Sequence, residues 1–223
     1  MNIEFFFNYM LQNKAEVIQQ ALQGKLPNTI IKTLFGVSFL SFAIFGFMVG
    51  SSHSIPQGFM SFVKLPSLFY VTGAICFPTL YIFLALFGVK VSLKGLMHFC
   101  IITISIMSLI LIAFAPVSLF FLIVGTDYQI FKLLNVAMMA VAGLSGVYIF
   151  KQYISSNAPE DLTVASKTRA SFFINVWLLM FALIGANLGF AISPIFGDPT
   201  VEFIFFTEAD QNFFSHIISI LKQ

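Results

Sequence analysis

The sequence predicts an all-α polytopic membrane bundle: five transmembrane helices preceded by an N-terminal amphipathic helix. Three observations carry this expectation. The 223-residue chain is 59% hydrophobic and only 9% charged, with thirty phenylalanines. A soluble chain of this size keeps much of its surface in water and holds about a quarter of its residues as charged side chains. Five long apolar runs follow one another, four of them about the twenty residues that cross a bilayer core and the third near thirty. The centres of those runs contain no Asp, Glu, Lys or Arg.

Residues 3–22, I-E-F-F-F-N-Y-M-L-Q-N-K-A-E-V-I-Q-Q-A-L, are too polar to span. Phe7, Met10, Leu11, Val17, Ile18, Ala21 and Leu22 fall at three- and four-residue steps and share a helical face, interrupted by Lys14. The pattern fits a helix in the membrane interface or one docked on the protein's own loops. Gly24, Pro27 and Asn28 then break the chain, so residues 1–29 read as a cytoplasmic amphipathic segment. No basic n-region precedes the first apolar residues, so no cleavable signal peptide is expected.

The transmembrane domain is expected over 30–192, with spans at about 30–50, 65–89, 96–118, 130–150 and 172–192. Lys32 can snorkel at the start of the first. The third apolar run continues to about Gly125, too long for a straight crossing, and Pro116 is expected to kink it. Pro78, in C-F-P-T, is expected to kink the second. The polar stretch 155–170 reads as a loop too short to fold alone.

Lysine placement orients the spans. With the N-terminus inside, Lys14, Lys25, Lys32, Lys90, Lys94, Lys151, Lys167 and Arg169 lie inside, against Lys64, Lys132 and Lys222 outside, eight against three. The expected layout is a bacterial inner-membrane protein with N-terminus cytoplasmic and C-terminus outside. The segment S-P-I-F-G-D-P then acquires a meaning. Pro194 ends the fifth helix, Gly197 permits a sharp turn, Asp198 accepts local backbone hydrogen bonds, and Pro199 stiffens the exit. Residues 193–223 read as an outer-surface turn followed by an amphipathic tail.

The chain offers little catalytic chemistry. Spans without carboxylates weigh against a proton-coupled carrier or an intramembrane aspartyl protease. No H-E-x-x-H, P-loop or G-x-S-x-G motif is present. Cys76 and Cys100 sit at different depths, too far apart for a disulfide, and His98 and Cys100 point in different directions. No metal site, cofactor or nucleic-acid partner is expected.

Packing chemistry is plentiful. Gly46-x-x-x-Gly50, Ala142-x-x-x-Gly146 and Gly185-x-x-x-Gly189 place small residues one turn apart, which lets another backbone approach. Asn187 lies inside the last motif, and Asn135 and Asn175 are further intramembrane amides that seek partners on neighbouring helices. The partner in each case is the chain's own bundle, a second copy or another membrane protein.

The order C-F-P-T-L-Y, then L-I-A-F-A-P-V-S-L-F-F with T-D-Y, then S-P-I-F-G-D-P with F-I-F-F and N-F-F, resembles a family of uncharacterised bacterial multi-pass membrane proteins over roughly residues 65–215. The five-span architecture is similar to that of Yip1-domain membrane proteins. Neither resemblance implies a catalytic residue. The first family carries a basic residue before the Pro-x-x-Gly stretch where this chain has Ser193.

The leading functional expectation is a non-enzymatic scaffold or accessory subunit that packs against partner membrane proteins within the lipid bilayer. The first alternative is a transporter or channel component for a small neutral or apolar solute, using the kinked second and third helices. A weaker alternative is a lipid-modifying enzyme using Asp127, Tyr128, Lys132, Asp198 and Glu202.

Overall fold

A computed structural model describes residues 20–21, 23–86, 92–156 and 164–192. The expected amphipathic segment, apart from Gln20 and Ala21, and the expected turn at Pro194, Gly197, Asp198 and Pro199 lie outside the described residues. So does the tail that follows the turn. Every regular element among the described residues is helical: α1 (Asn28–Gly50), α2 (Ile55–Leu86), α3 (Leu93–Ala113), α4 (Ala115–Val124), α5 (Tyr128–Ser156) and α6 (Val164–Ala191). Among them five stretches are long and apolar enough to cross a bilayer, α3 and α4 together making the third.

The helices alternate in direction. Phe42 stacks on Phe69 at a centroid distance of 4.2 Å, and the Ser38 hydroxyl meets the Tyr70 hydroxyl, so α1 and α2 run antiparallel. Ser105 Oγ donates to the Leu34 carbonyl at 3.3 Å, which sets α3 parallel to α1. Trp177 Nε1 donates to the Cys76 carbonyl at 3.2 Å, while Gly185 packs near Thr72 and Gly189 near Leu68, so α6 runs antiparallel to α2. The bundle therefore has two ends. One holds the α1–α2 turn and Gly125; the other holds Asn28, Ser92 and Ser156.

α1 is the central helix. In its most apolar stretch 56% of the residues are buried, against 11% for α6, because α1 packs on α2, α3 and α4 while α6 leans chiefly on α2. Two apolar clusters fill the bundle. One gathers Leu34, Leu80, Leu96, Phe99, Ile102 and Trp177 toward the Ser92 end. The other gathers Phe42, Phe45, Leu65, Leu111, Phe131 and Met138 toward the Gly125 end. Serines let helices approach within this greasy interior: Ser38, Ser105 and Ser108 are buried, and each hydroxyl donates to a backbone carbonyl. A hydroxyl satisfied in this way avoids the cost of a bare polar group in hydrocarbon.

Helix ends follow local chemistry. Ser92 caps α3 by accepting from the Gly95 N–H at 3.0 Å. Gly125 ends α4 with φ +73°, a left-handed conformation that glycine adopts without a Cβ penalty. Asp127 Oδ1 accepts from the Gln129 N–H at 2.9 Å and starts α5.

The boundaries differ from the sequence expectation in two informative ways. α2 begins at Ile55, ten residues before the expected 65. Gln57, Ser61 and Lys64 lie at i, i+4 and i+7 and are all buried, so the polar residues that resemble a loop form one inward-facing helical stripe. Lys64, expected in an outer loop, is therefore inside a helix and only 6% exposed. α5 and α6 also extend past the apolar runs into the polar 155–170 stretch, to Ser156 and from Val164. Pro116 separates α3 from α4 at Phe114, since a proline lacks the N–H that would bond to Ile112 and crowds that carbonyl. Pro78 and Pro66 both lie inside α2.

Candidate functional site

The strongest candidate is a cavity of about 400 Å³ enclosed by α2, α3, α5 and α6, within the part of the bundle long and apolar enough to lie in a membrane. α2 contributes Phe69, Gly73, Phe77 and Leu80; α3 contributes Cys100, Thr103, Ile104 and Met107. Ala140, Gly143, Leu144 and Val147 come from α5, and Trp177, Leu178, Phe181 and Ala182 from α6. The volume falls within the range of small-molecule sites, roughly 300–1,000 Å³.

The void has a local cause at each wall. Gly143 has no atom within 4 Å of where a Cβ would stand, so its missing side chain is open space. α5 and α6 touch only slightly, whereas α6 packs along α2 and α5 along α3. Trp177 holds the α2–α6 side. Its indole N–H is shared between the Cys76 carbonyl and Thr79 Oγ1, at 3.2 and 3.3 Å. Thr79 Oγ1 itself donates to Cys76 at 2.8 Å. These bonds tie α6 to α2 in the turn that holds Pro78.

The cavity is chemically plain. Thr103 donates to the Phe99 carbonyl at 3.0 Å, and the Trp177 N–H is engaged, so neither O–H nor N–H proton is left to donate to a polar solute. The Cys100 thiol and the Met107 thioether are soft, weakly polar groups. Its open side is the α5–α6 seam. There the lining residues Ala140, Leu144 and Ala182 are exposed, Leu144 at 67%.

The residues singled out from sequence sit as follows. Gly46 and Gly50 face α2: a Cβ on Gly46 would strike the Ser61 carbonyl oxygen, and one on Gly50 would lie 2.6 Å from Ser61 Oγ and 2.7 Å from the Gln57 carbonyl. Gly146 faces Met107, whose Cγ would be 2.6 Å away, and Ala142 is buried in the Gly125-end cluster. Gly185 and Gly189 meet Thr72 and Leu68 at ordinary contact distances of 3.6 and 3.8 Å. All three small-residue motifs thus meet helices of this chain. Asn135 is fully buried, accepting from Ser118 Oγ at 2.6 Å and donating to the Phe131 carbonyl at 2.8 Å. Asn187 donates to Leu183 of its own helix at 3.0 Å, and Asn175 is exposed.

Cys76 is buried in the Ser92-end cluster and Cys100 lines the cavity, both as free thiols. His98 is buried, and among the described residues no three His, Cys, Asp or Glu side chains converge as metal ligands. Of the polar residues considered for lipid chemistry, Asp127 caps α5 and Lys132 leans over the Tyr128 ring at 6.0 Å. Asp198 and Glu202 lie outside the described residues.

Sequence reasoning passes over the cavity because its walls carry no motif. Trp177 had a signal, as the single tryptophan of the chain. Gly143 had a fainter one, a glycine outside the four-residue spacing that Ala142 and Gly146 make. No protein-family model, curated protein or solved structure matches the chain.

Proposed function

We propose that the protein is a non-catalytic multi-pass membrane protein that takes an apolar molecule from the bilayer into its helical bundle, as a component of transport or storage of that molecule. The carrying observation is the cavity of about 400 Å³, apolar on every wall and bordered by exposed residues at the α5–α6 seam. The bilayer is the reservoir of the ligand, and the seam is its entrance. With the Thr103 O–H and the Trp177 N–H both donating to the protein's own atoms, no donor is left for a hydrogen-bond-accepting solute, which supports an apolar ligand.

We place the protein in a bacterial inner membrane with its N-terminus cytoplasmic and C-terminus outside. Support comes from the exposed Lys25, Lys32 and Lys94 at the Ser92 end, set against Lys132 at the Gly125 end, through the preference of lysine for cytoplasmic loops. The resemblance to a bacterial multi-pass family supports the same placement, and the similarity to Yip1-domain proteins remains one of architecture.

The test is extraction from native membranes in mild detergent, followed by mass spectrometry of small molecules held after gel filtration. A species retained near one per protein, and lost in Gly143→Phe, supports the proposal. Protein that is folded and empty after every mild extraction overturns it.

A second reading, an accessory subunit docking on another membrane protein, draws support from α6. Only 11% of the residues in its apolar stretch are fully buried, and it carries the amides of Asn175 and Asn187. The same extraction decides for it if a stoichiometric membrane protein co-purifies and is lost on Asn187→Leu.

A further inference from the structure

The shape of the cavity and the charge beyond it narrow the ligand. Along α2 the lining runs from Phe69 to Leu80, about 16 Å at the helical rise of 1.5 Å per residue. That is close to half of the ~30 Å hydrocarbon core, the depth of one leaflet. The shorter stretches on α3, α5 and α6, namely Cys100–Met107, Ala140–Val147 and Trp177–Ala182, lie alongside. A slot elongated along the helix axes matches a chain lying along the bilayer normal better than a compact solute.

One helical turn beyond the Ser92 end of the slot stands a cation. Ala140, Leu144 and Val147 form the lining stripe of α5. The next position on that stripe, one turn beyond Val147, is the half-buried Lys151, just past the apolar span that ends at Ile149. An ammonium at the edge of the hydrocarbon, in line with an apolar slot open to lipid, is complementary to a molecule with an acyl chain and an anionic head.

We propose that the cavity holds one acyl chain of an anionic phospholipid, admitted sideways between α5 and α6, with the head-group phosphate against Lys151; this rests on the cavity being a ligand site. Gly143 makes the space for the chain, Leu144 flanks the entrance, and Lys151 sets which end of the lipid faces the Ser92 end. The headgroup never has to cross the bundle if the chain enters where Ala140, Leu144 and Ala182 are exposed.

Trp177 makes the inference directly measurable. It is the chain's single tryptophan, it lines the cavity, and it is only 6% exposed, so its fluorescence reports an occupant at the slot. Purified full-length protein in detergent micelles is titrated with phosphatidylglycerol carrying dibrominated acyl chains, with dibrominated stearic acid, and with a bromoalkane, bromine being the quencher. The expected result is saturable quenching by the phospholipid at one per protein, reversed by unlabelled phosphatidylglycerol. Lys151→Gln should weaken it about fivefold, the effect of one interfacial lysine. Gly143→Phe and Ala140→Phe should abolish it while the fold, checked by melting temperature, is kept.

Three results overturn the phospholipid. If the bromoalkane quenches as tightly and Lys151→Gln changes nothing, the slot takes a headless apolar solute, and the function proposed above stands without the phospholipid. If the brominated fatty acid binds more tightly than the phospholipid, the occupant is a single-chain carboxylate. If no probe gives saturable quenching, or unlabelled phosphatidylglycerol fails to reverse it, the ligand site itself falls. Should both filling variants unfold, that reversal in the wild-type protein decides the matter.

Discussion

Two seams of this bundle use glycine in opposite ways. Between α1 and α2, Gly46, Gly50 and Gly58 bring backbones so close that a Cβ would collide with Ser61, Gln57 and Ser51 atoms. Between α5 and α6, Gly143 meets nothing, and the space it leaves opens into the cavity. One seam is closed by removing side chains that would hold helices apart. The other is kept open because the removed side chain has no neighbour to replace it. In lipid, where no hydrophobic effect drives helices together, close packing and hydrogen bonds decide which seams hold. The α1–α2 seam has both; the α5–α6 seam has neither to a comparable extent. The chain is thus divided into a tight half around α1 that fixes the fold and a loose edge at α6 suited to exchange with the bilayer.

The largest expected effect comes from breaking the tight seam. Gly46→Ala places a methyl group against the Ser61 carbonyl, and backbone cannot turn aside as a side chain can. We expect a loss of about 3 kcal/mol, the upper part of the usual range for overpacking. Reversible unfolding in mixed micelles should register it as a clear fall in the midpoint. A value near wild type would mean that the two helices can move apart at Gly46 at little cost.

Next comes the junction between the two regions. The chain breaks between α3 and α4 at Phe114, and Ser118–Asn135 ties α4 onto α5 in a fully buried site. Asn135→Ala leaves Ser118 Oγ without its acceptor, and Asn135 no longer donates to Phe131. A loss of about 1–2 kcal/mol is expected, near the upper end measured for interhelical hydrogen bonds in membranes. Ser118→Ala should cost less, since the Asn135 amide keeps its bond to Phe131. Unfolding of the double variant would show coupling, and strict additivity would argue that the pair does not act as a unit.

Gly146→Ala is smaller again, although its geometry looks as severe as that of Gly46. The obstacle is Met107, where the Cγ would lie 2.6 Å away. A thioether on three rotatable bonds can turn aside, and the cavity it borders gives it somewhere to go. We expect a destabilisation of about 1 kcal/mol or less, accompanied by a change in Trp177 emission as Met107 moves into the slot. A cost equal to that of Gly46→Ala would show that the slot is already filled.

How much of this was legible beforehand follows from the same contrast. The spans were readable because twenty apolar residues without charge have few other uses. The helix start at Ile55 was hidden because Gln57, Ser61 and Lys64 mimic a loop in composition while obeying helical spacing; a periodicity of polar residues would have exposed it. The tie between Trp177 and Thr79 joins residues 98 apart in the chain, and so lies beyond any local reading. Small-residue spacing located Gly46, Gly50 and Gly146, since contact leaves a repeat in sequence. Emptiness leaves none. The cavity arises from the arrangement of four helices, and no single stretch encodes it.

Gly143→Ala is therefore the finest test, because the expected change in stability is close to nothing. With no atom within 4 Å of the new methyl group, the variant should unfold within about 0.5 kcal/mol of wild type. In a membrane the separated helices remain helical, so even the usual preference of alanine over glycine contributes little to the difference. What should change is the slot. A methyl group on its wall narrows the path along α5 between Ala140 and Val147. An occupant should then bind more weakly at unchanged stability. The pair Gly46→Ala and Gly143→Ala makes the same chemical change in two helices of one bundle. If the first is costly to the fold and silent in the slot, and the second the reverse, the division into a packed half and an exchanging edge holds. If both act on stability alone, Gly143 is one more packing residue and the open seam has no special role.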